Sequence, residues 1–323
     1  MPNTKTPRVI VGFFLSMLTP MTFTSFLMNL CLRALLPFAV LLVCQPVGAQ
    51  VPLRIHEQVY DLRTQQAVST QTWLANMQQA DVLLLGEIHD NPRHHQVRAD
   101  LLRHLSQAAW RIVAEHLSAG EQAQASPDLL TGLQAAGFNA KAWRWPLHQP
   151  LFEAAFERNL PVWGGNVRPA EVKAIYASQG DSAPADLKAL LAKATLSTDL
   201  QQALRDEIDQ GHCGALPVTQ FDHMIAVQRA RDAAMAQVAL QHLPAVVLAG
   251  NGHVWKHLGV PQILRANRPD LKLVSVLFME QTPDQTPAQR QAWLQSLAHQ
   301  ADWVWVGPVT ERPDPCLAFK AKP

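Results

Sequence analysis

The chain has 323 residues, with 27 lysines and arginines against 26 acidic residues, 13 histidines, four cysteines and 48% hydrophobic residues. So even a charge balance, with no basic run or stripe, excludes nucleic acid as an expected partner. The length is enough for a sizeable core in one domain with an insertion.

Residues 1–49 contain Lys5, Arg8 and Arg33 and no acidic residue. An apolar core, ALLPFAVLLV (34–43), follows Arg33, and Val47-Gly48-Ala49 offers the small residues of a cleavage site. A basic start, a short apolar core and small residues make an export signal that stands outside the fold. Residues 1–49 are therefore expected to be a signal peptide, and residues 50–323 the mature, periplasmic or otherwise extracytoplasmic protein. A start at Met28 gives a signal of ordinary length, so Met28 or Met21 is read as the true start. An uncleaved anchor is the rival reading, but the apolar run falls well short of the roughly 20 residues that span a bilayer. The residues before Cys44, LLV, lack the small residue that lipoprotein processing needs, so a lipid anchor at Cys44 is disfavoured. Without residues 1–49 the balance becomes 24 basic against 26 acidic, a net −2.

Short apolar runs alternate with helical patterns along the rest. DVLLLG (81–86), RIVAEH (111–116), LPVWGGN (160–166), AVVLAGNGH (245–253), KLVSVLF (272–278) and DWVWVG (302–307) are continuous rather than alternating, as buried strands are. Helices are expected at 92–108, 150–159, 184–210, 218–242 and 286–299, with a polar, proline-bearing linker at 281–290. Strand and helix in alternation imply an α/β fold: a central, mostly parallel sheet flanked by helices, with a helical cap within about 120–240. Ligands of such sheets collect where strands end and loops turn into helices. Cys213 and Cys316 are the two cysteines left in the mature part. In an oxidising compartment such a pair suggests a disulfide, though two unrelated thiols would also satisfy the sequence. A closed loop of about 100 residues is worth on the order of 4–5 kcal/mol in the chain-entropy model, less any strain.

The stretch ADVLLLGEIHDNPRHHQ (80–96) holds Glu87, His89, Asp90, His94 and His95. Asp90 or Asn91 can cap the helix that Pro92 starts, since proline at the first helical position costs no hydrogen bond. At 100° per residue, Val97, Leu101, Leu102, Leu105 and Ala108 form the buried arc. His94 falls inside that arc, His95 at its edge, and Arg98 also points inward. Any one of these histidines can be a satisfied, partly buried group; the cluster points to a site.

A second loop repeats the spacing: Gly86-Glu87-Ile88-His89 and Gly250-Asn251-Gly252-His253 are both G-x-x-H. Loops at the ends of parallel strands share one rim, so His89 and His253 are expected to converge. Glu115 and His116 add a third strand end with ionisable groups. On the helix 218–240, Gln228 and Asp232 share a face with Phe221, Met224, Met235 and Ala239, with Arg231 at its edge. A buried charge needs a partner, so these polar groups pair with one another or line a site.

LLLGEIHDNPRHH (83–95), AEH (114–116), GHCGALP (211–217), AVQRARDAAMA (226–236) and LAGNGHVW (248–255), taken in that order, resemble the ChaN-like haem-binding proteins, exported bacterial proteins associated with haem and iron uptake. The resemblance covers roughly residues 80–307. The wider superfamily includes the Tiki-type metalloproteases and erythromycin esterases, marked by paired G-x-x-H motifs with a glutamate. The resemblance implies an α/β fold with a helical subdomain, a homodimer holding haem at its interface near a tyrosine and a histidine, and a place beside membrane-associated haem transport machinery. Of the two tyrosines in the chain, Tyr60 precedes the first core strand, which leaves Tyr176 as tyrosinate candidate; it can equally be a packed amphipathic residue.

Two functions from different classes follow. A haem-binding protein for uptake or storage would draw on His89, His94, His95, Arg98, Tyr176, Gln228, Asp232 and His253. Arg144, Arg168 and Arg98 are candidates for the propionates, and a histidine or tyrosinate is a candidate for the iron. A metal-dependent hydrolase would instead use Glu87 as base on a water held by a divalent ion on His89, Glu115 and His253. A purely partner-binding role ranks last, because ionisable groups at three strand ends would be costly without a purpose.

Overall fold

The computed structural model describes residues 57–106, 109–280, 285–314 and 316–317. The expected signal peptide, with Cys44 and the alternative starts, lies outside the described residues, as do 107–108 of the second helix and 281–284 of the linker.

The elements run in the order β1 (Gln58–Asp61), β2 (Gln66–Val68), α1 (Thr70–Met77), β3 (Val82–Leu85), α2 (Pro92–His104), β4 (Arg111–Ser118), β5 (Gln122–Ala123), α3 (Leu129–Ala135) and α4 (Gln149–Glu157). They continue as β6 (Val162–Asn166), α5 (Pro169–Ala177), α6 (Ala185–Lys193), α7 (Thr198–Gly211), α8 (Phe221–Gln241), β7 (Ala245–Leu248), α9 (Val260–Asn267), β8 (Leu273–Glu280), α10 (Pro287–Leu297) and β9 (Trp303–Gly307). One sheet of nine strands takes the order β2-β1-β9-β8-β3-β7-β4-β6-β5. All pairings from β9 through β6 are parallel; β1, β2 and β5 attach antiparallel at the two sides. This is the mostly parallel α/β sheet the apolar runs predict. Among the described residues, no helix is long and apolar enough to cross a membrane.

The strands read as continuous apolar runs because both faces are covered. Leu83, Leu85, Val246, Leu248, Ile112 and Ala114 join one core with α1, α2 and α4, around Trp73, Leu101 and Phe152. Val82, Leu84, Val247 and Val113 join the other, with α8 and α9 among its walls. Side chains alternate between faces along a strand, so this parity governs where the residues beyond the strand ends point.

Three expectations change in detail. The helix predicted over 184–210 is two, α6 and α7, because Ser197 accepts a hydrogen bond from the Leu200 amide and starts a new helix. The run 245–253 stops as a strand at Leu248, and 251–254 forms a short 3-10 turn. The helix predicted from 218 begins as a 3-10 turn at 218–220 before α8.

Cys213 and Cys316 are joined, with Cα atoms 5.6 Å apart, so the tail is tied to the loop after α7. The bridge spans 103 residues of sequence. Reducing it is expected to lower the unfolding free energy by about 2–4 kcal/mol, read as a lower urea midpoint with and without dithiol. A midpoint that does not move would mean the closed loop adds nothing to stability.

Candidate functional site

The sheet order explains why the three ionisable strand ends meet. β3, β7 and β4 are consecutive neighbours, and Leu85, Leu248 and Ala114 stand level across them. The residues just beyond therefore form one row: Glu87, Gly250 and the pair Glu115–His116. Parity then divides the row. Glu87 and His116 continue the face of Leu85 and Ala114, toward α2 and α4. Glu115 points to the α8 side, where Asp232 lies.

Both glycines of the G-x-x-H loops serve close approach. A Cβ on Gly86 would collide with the Asn251 side chain, and one on Gly250 would lie 2.9 Å from Cε1 and Nε2 of His89. Asn251 crosses above Gly86 and pairs with β8, donating to the Phe278 carbonyl (2.7 Å) and accepting from its amide (3.1 Å). Asn91, not Asp90, caps α2; its Oδ1 accepts from the amides of Arg93 and His94, and its Nδ2 donates to Glu280 (2.7 Å).

Glu87 is the hub of the α2 side. Its Oε2 forms an ion pair with Arg98, whose side chain is wholly buried and donates as well to the Leu85 carbonyl (3.3 Å) and to His95 Nδ1 (3.1 Å). Oε1 accepts from His89 Nδ1 at 2.6 Å, with Nε2 of His148 at 3.4 Å and Nε2 of His116 at 3.5 Å. His95 Nε2 donates to the His89 carbonyl (3.1 Å). His94 lies deeper: its Nδ1 accepts from the Ile88 amide (3.0 Å), and its ring packs against Phe278 and Trp305. Burial drives His94 down to about 3 and His95 to about 4, lowers Arg98 to about 9, and depresses His116 and His148 as well, with Arg98 adding to the effect on His116. His95, His116 and His148 beside Glu87 are thus neutral, and its counter-charge is Arg98.

On the α8 side His253 sits between two carboxylates. Nδ1 donates to Asp232 at 2.6 Å, with the Gln228 amide 3.1 Å away, and Nε2 faces Glu115 Oε1 at 3.5 Å. Glu115 Oε2 accepts from the Gly250 amide (2.8 Å). Burial pulls His253 down, but Glu115 and Asp232 outweigh it and raise the ring to about 10. Burial would raise Glu115, yet the charge and hydrogen bond of His253 hold it well below the usual carboxylate range; burial pushes Asp232 up despite His253.

A cavity of ≈ 920 Å³ opens over this rim, within the span usual for small-molecule sites. Glu87, His89, His148, Gln228, Asp232 and His253 reach its wall, together with Trp143, Met224, Trp255, Leu258 and the cations Arg144, Arg231 and Arg312. Arg312 is held by Asp90 (3.1 Å) and Glu280, whereas buried Nε of Arg231 has no hydrogen-bond partner among the described residues. The structure thus gathers Glu87, His89, Gln228, Asp232 and His253 on one cavity, with Glu115, His95 and Arg98 directly behind them. His94 is in the core. Tyr176, on α5, stacks on His223 (4.9 Å) away from the cavity lining, and Arg168 pairs with Glu121 (2.9 Å). Sequence reasoning missed His148: a single histidine ahead of Pro150 carries no spacing signal, and only the packing of α4 on α2 brings it to Glu87. Arg231 was noticed only as an edge residue.

The donor set suits haem. With His89 Nδ1–H donating to Glu87, the ring's lone pair is on Nε2; the His89 side chain is 48% exposed, and Gly250 keeps its far edge clear of a methyl group. Apolar walls and Arg231, whose buried Nε has no partner among the described residues, complete what a porphyrin with propionates needs.

Among solved structures, ChaN of Campylobacter jejuni, described as binding haem cofacially, aligns with a TM-score of 0.61 at 21% identity, over 79% of this chain and 98% of that one. A Bacillus cereus protein aligns with a TM-score of 0.41 at 12% identity, over 78% of this chain and 94% of that one. No curated protein matches the chain. Residues 73–264 match the family described as haem-binding uptake, Tiki superfamily, ChaN, and the chain belongs to that family.

Proposed function

We propose that this protein binds haem at the rim cavity and serves haem or iron uptake or storage outside the cytoplasm. It would do so as a homodimer in which a second copy closes over the bound ligand, and would exchange that ligand with membrane-associated haem transport machinery. The observation that carries the reading is His89: half-exposed, its tautomer set by Glu87, its ring lining a cavity with both apolar and cationic walls. Family membership and the fold shared with ChaN of Campylobacter jejuni support the same reading. The disulfide is consistent with an oxidising compartment.

Bound haem would supply an iron that accepts imidazole or an oxygen donor. The chain's own residues would hold it as follows. His89 would ligate, with Glu87 raising the basicity of the ring. Trp143, Met224 and Leu258 would exclude water, and Arg231 would take a propionate. The ion-paired His253 would keep its side of the rim rigid.

Titrating the mature protein with haemin is expected to shift the Soret band. His89→Ala should weaken binding at least tenfold, roughly the scale on which even second-shell changes weaken metal sites, while Tyr176→Phe should leave the spectrum unchanged because Tyr176 stands off the cavity. A free-haemin spectrum throughout the wild-type titration would refute the proposal. A spectrum altered by Tyr176→Phe but not by His89→Ala would move the iron away from this cavity.

A further inference from the structure

We propose that Glu87, His116 and His148 form a second, separate binding site for a divalent first-row transition-metal ion, set in the wall of the cavity. The three side chains are buried, and one donor atom from each lies within 4.8 Å of the other two. Glu87 Oε1 is 3.4 Å from Nε2 of His148 and 3.5 Å from Nε2 of His116. With metal–ligand bonds of about 2.0–2.2 Å, the ligand atoms of a tetrahedral site stand roughly 3.4 Å apart. The observed spacings are those of an edge of such a site.

The hydrogen bonds point the same way. The Trp143 carbonyl lies 2.9 Å from His148 Nδ1 and can only accept, so the proton sits on Nδ1 and Nε2 turns its lone pair toward Glu87. This backbone-anchored tautomer is the usual support of a metal-ligating histidine. His116 is enclosed by Trp143, Phe152 and His148, and neither of its nitrogens has a hydrogen-bond partner among the described residues. Buried polar atoms left without partners require an explanation, and an ion on Nε2 would provide one. The His148 lone pair and the carboxylate oxygen converge with no proton between them and repel one another; a cation, with the His116 proton on Nδ1, turns the same arrangement into a favourable one. Arg98 takes Oε2 and His89 takes one side of Oε1, which leaves the other lone pair of Oε1 for the ion.

Two imidazoles and one carboxylate with open positions suit iron(II) or zinc. Glu87 and His148 both border the cavity, so the open positions face it. This set shares Glu87, but none of the ligands His89, Glu115 and His253, with the centre that the paired G-x-x-H motifs suggest.

The test uses chelator-stripped mature protein, free of haem, titrated with cobalt(II) alone and then with zinc as competitor. One cobalt per chain is expected, with visible ligand-field absorption that zinc abolishes. His148→Ala and His116→Asn should each weaken uptake at least tenfold. Because either variant can misfold, X-ray absorption of the zinc-loaded wild type gives an independent reading, with two imidazoles expected in the coordination shell. No cobalt uptake, uptake unchanged in both variants, a shell without two imidazoles, or uptake abolished by Glu115→Gln but not by His148→Ala would each overturn the proposal. Haemin enters none of these measurements, so their outcome is independent of the haem reading.

Discussion

Arg98→Ala is expected to destabilise the fold by about 3–5 kcal/mol, the usual cost of removing one partner from a buried ion pair. Arg98 is fully buried on α2 and is the counter-charge of Glu87, which is itself enclosed. Truncation would leave a carboxylate among neutral imidazoles, and would also strip the Leu85 carbonyl and His95 Nδ1 of a donor. Burial lowers the guanidinium only to about 9, so Arg98 is charged at neutral pH. Urea unfolding followed by tryptophan fluorescence measures the loss. Adding Glu87→Gln to Arg98→Ala should recover part of it, since the orphaned charge goes with the glutamate. A loss below about 1 kcal/mol, the scale of an exposed pair, would mean that Glu87 is neutral or solvated.

Acid should begin to destabilise the protein from about pH 6.5, above the pH at which carboxylates titrate. His94 and His95 are held neutral by burial, at about 3 and about 4, while in the unfolded chain they titrate near 6.5. Their folded values are depressed, so the unfolded state binds more protons below about 6.5. The stability they contribute is complete above that pH and is lost as the pH falls toward 4 and then 3. At roughly 1.4 kcal/mol per pH unit for each group, the two together approach the whole stability of an ordinary domain. His253 has the opposite sign: raised to about 10, it stabilises fully below about 6.5 and loses that contribution as the pH climbs toward 10. Urea midpoints measured from pH 3 to 10 should peak near neutrality and drop steeply on the acid side, and His94→Gln should flatten the acid limb. A midpoint constant between pH 6.5 and 4.5 would refute the assignment of neutral buried rings.

The legible part of this molecule was whatever repeats at short range. Continuous apolar runs such as DVLLL are visible because both faces of β3 are covered, and the two G-x-x-H loops are visible because each strand end carries its own ligands. Convergence of His89 and His253 followed from the general rule that parallel strands end on one rim. Which residue faces which helix did not follow: that depends on strand parity, which separates Glu87 and His116 from Glu115. His148 reaches Glu87 only through the packing of α4 on α2, across 61 residues of sequence. The antiparallel strands β1, β2 and β5 are too short and too polar to stand out. Tyr176 shows the converse: an amphipathic position consistent with a ligand that turns out to stack on His223.

The side chain of Asn251, bridged to β8 above Gly86, makes the two histidine-bearing loops a single stiff ledge, and Glu280 extends that ledge to the start of α2. The entropy of ordering this ledge is therefore lost when the chain folds, not when a guest arrives. A flat, rigid molecule would meet a landing platform already in shape, so capture would be limited by encounter and desolvation rather than by rearrangement of the host.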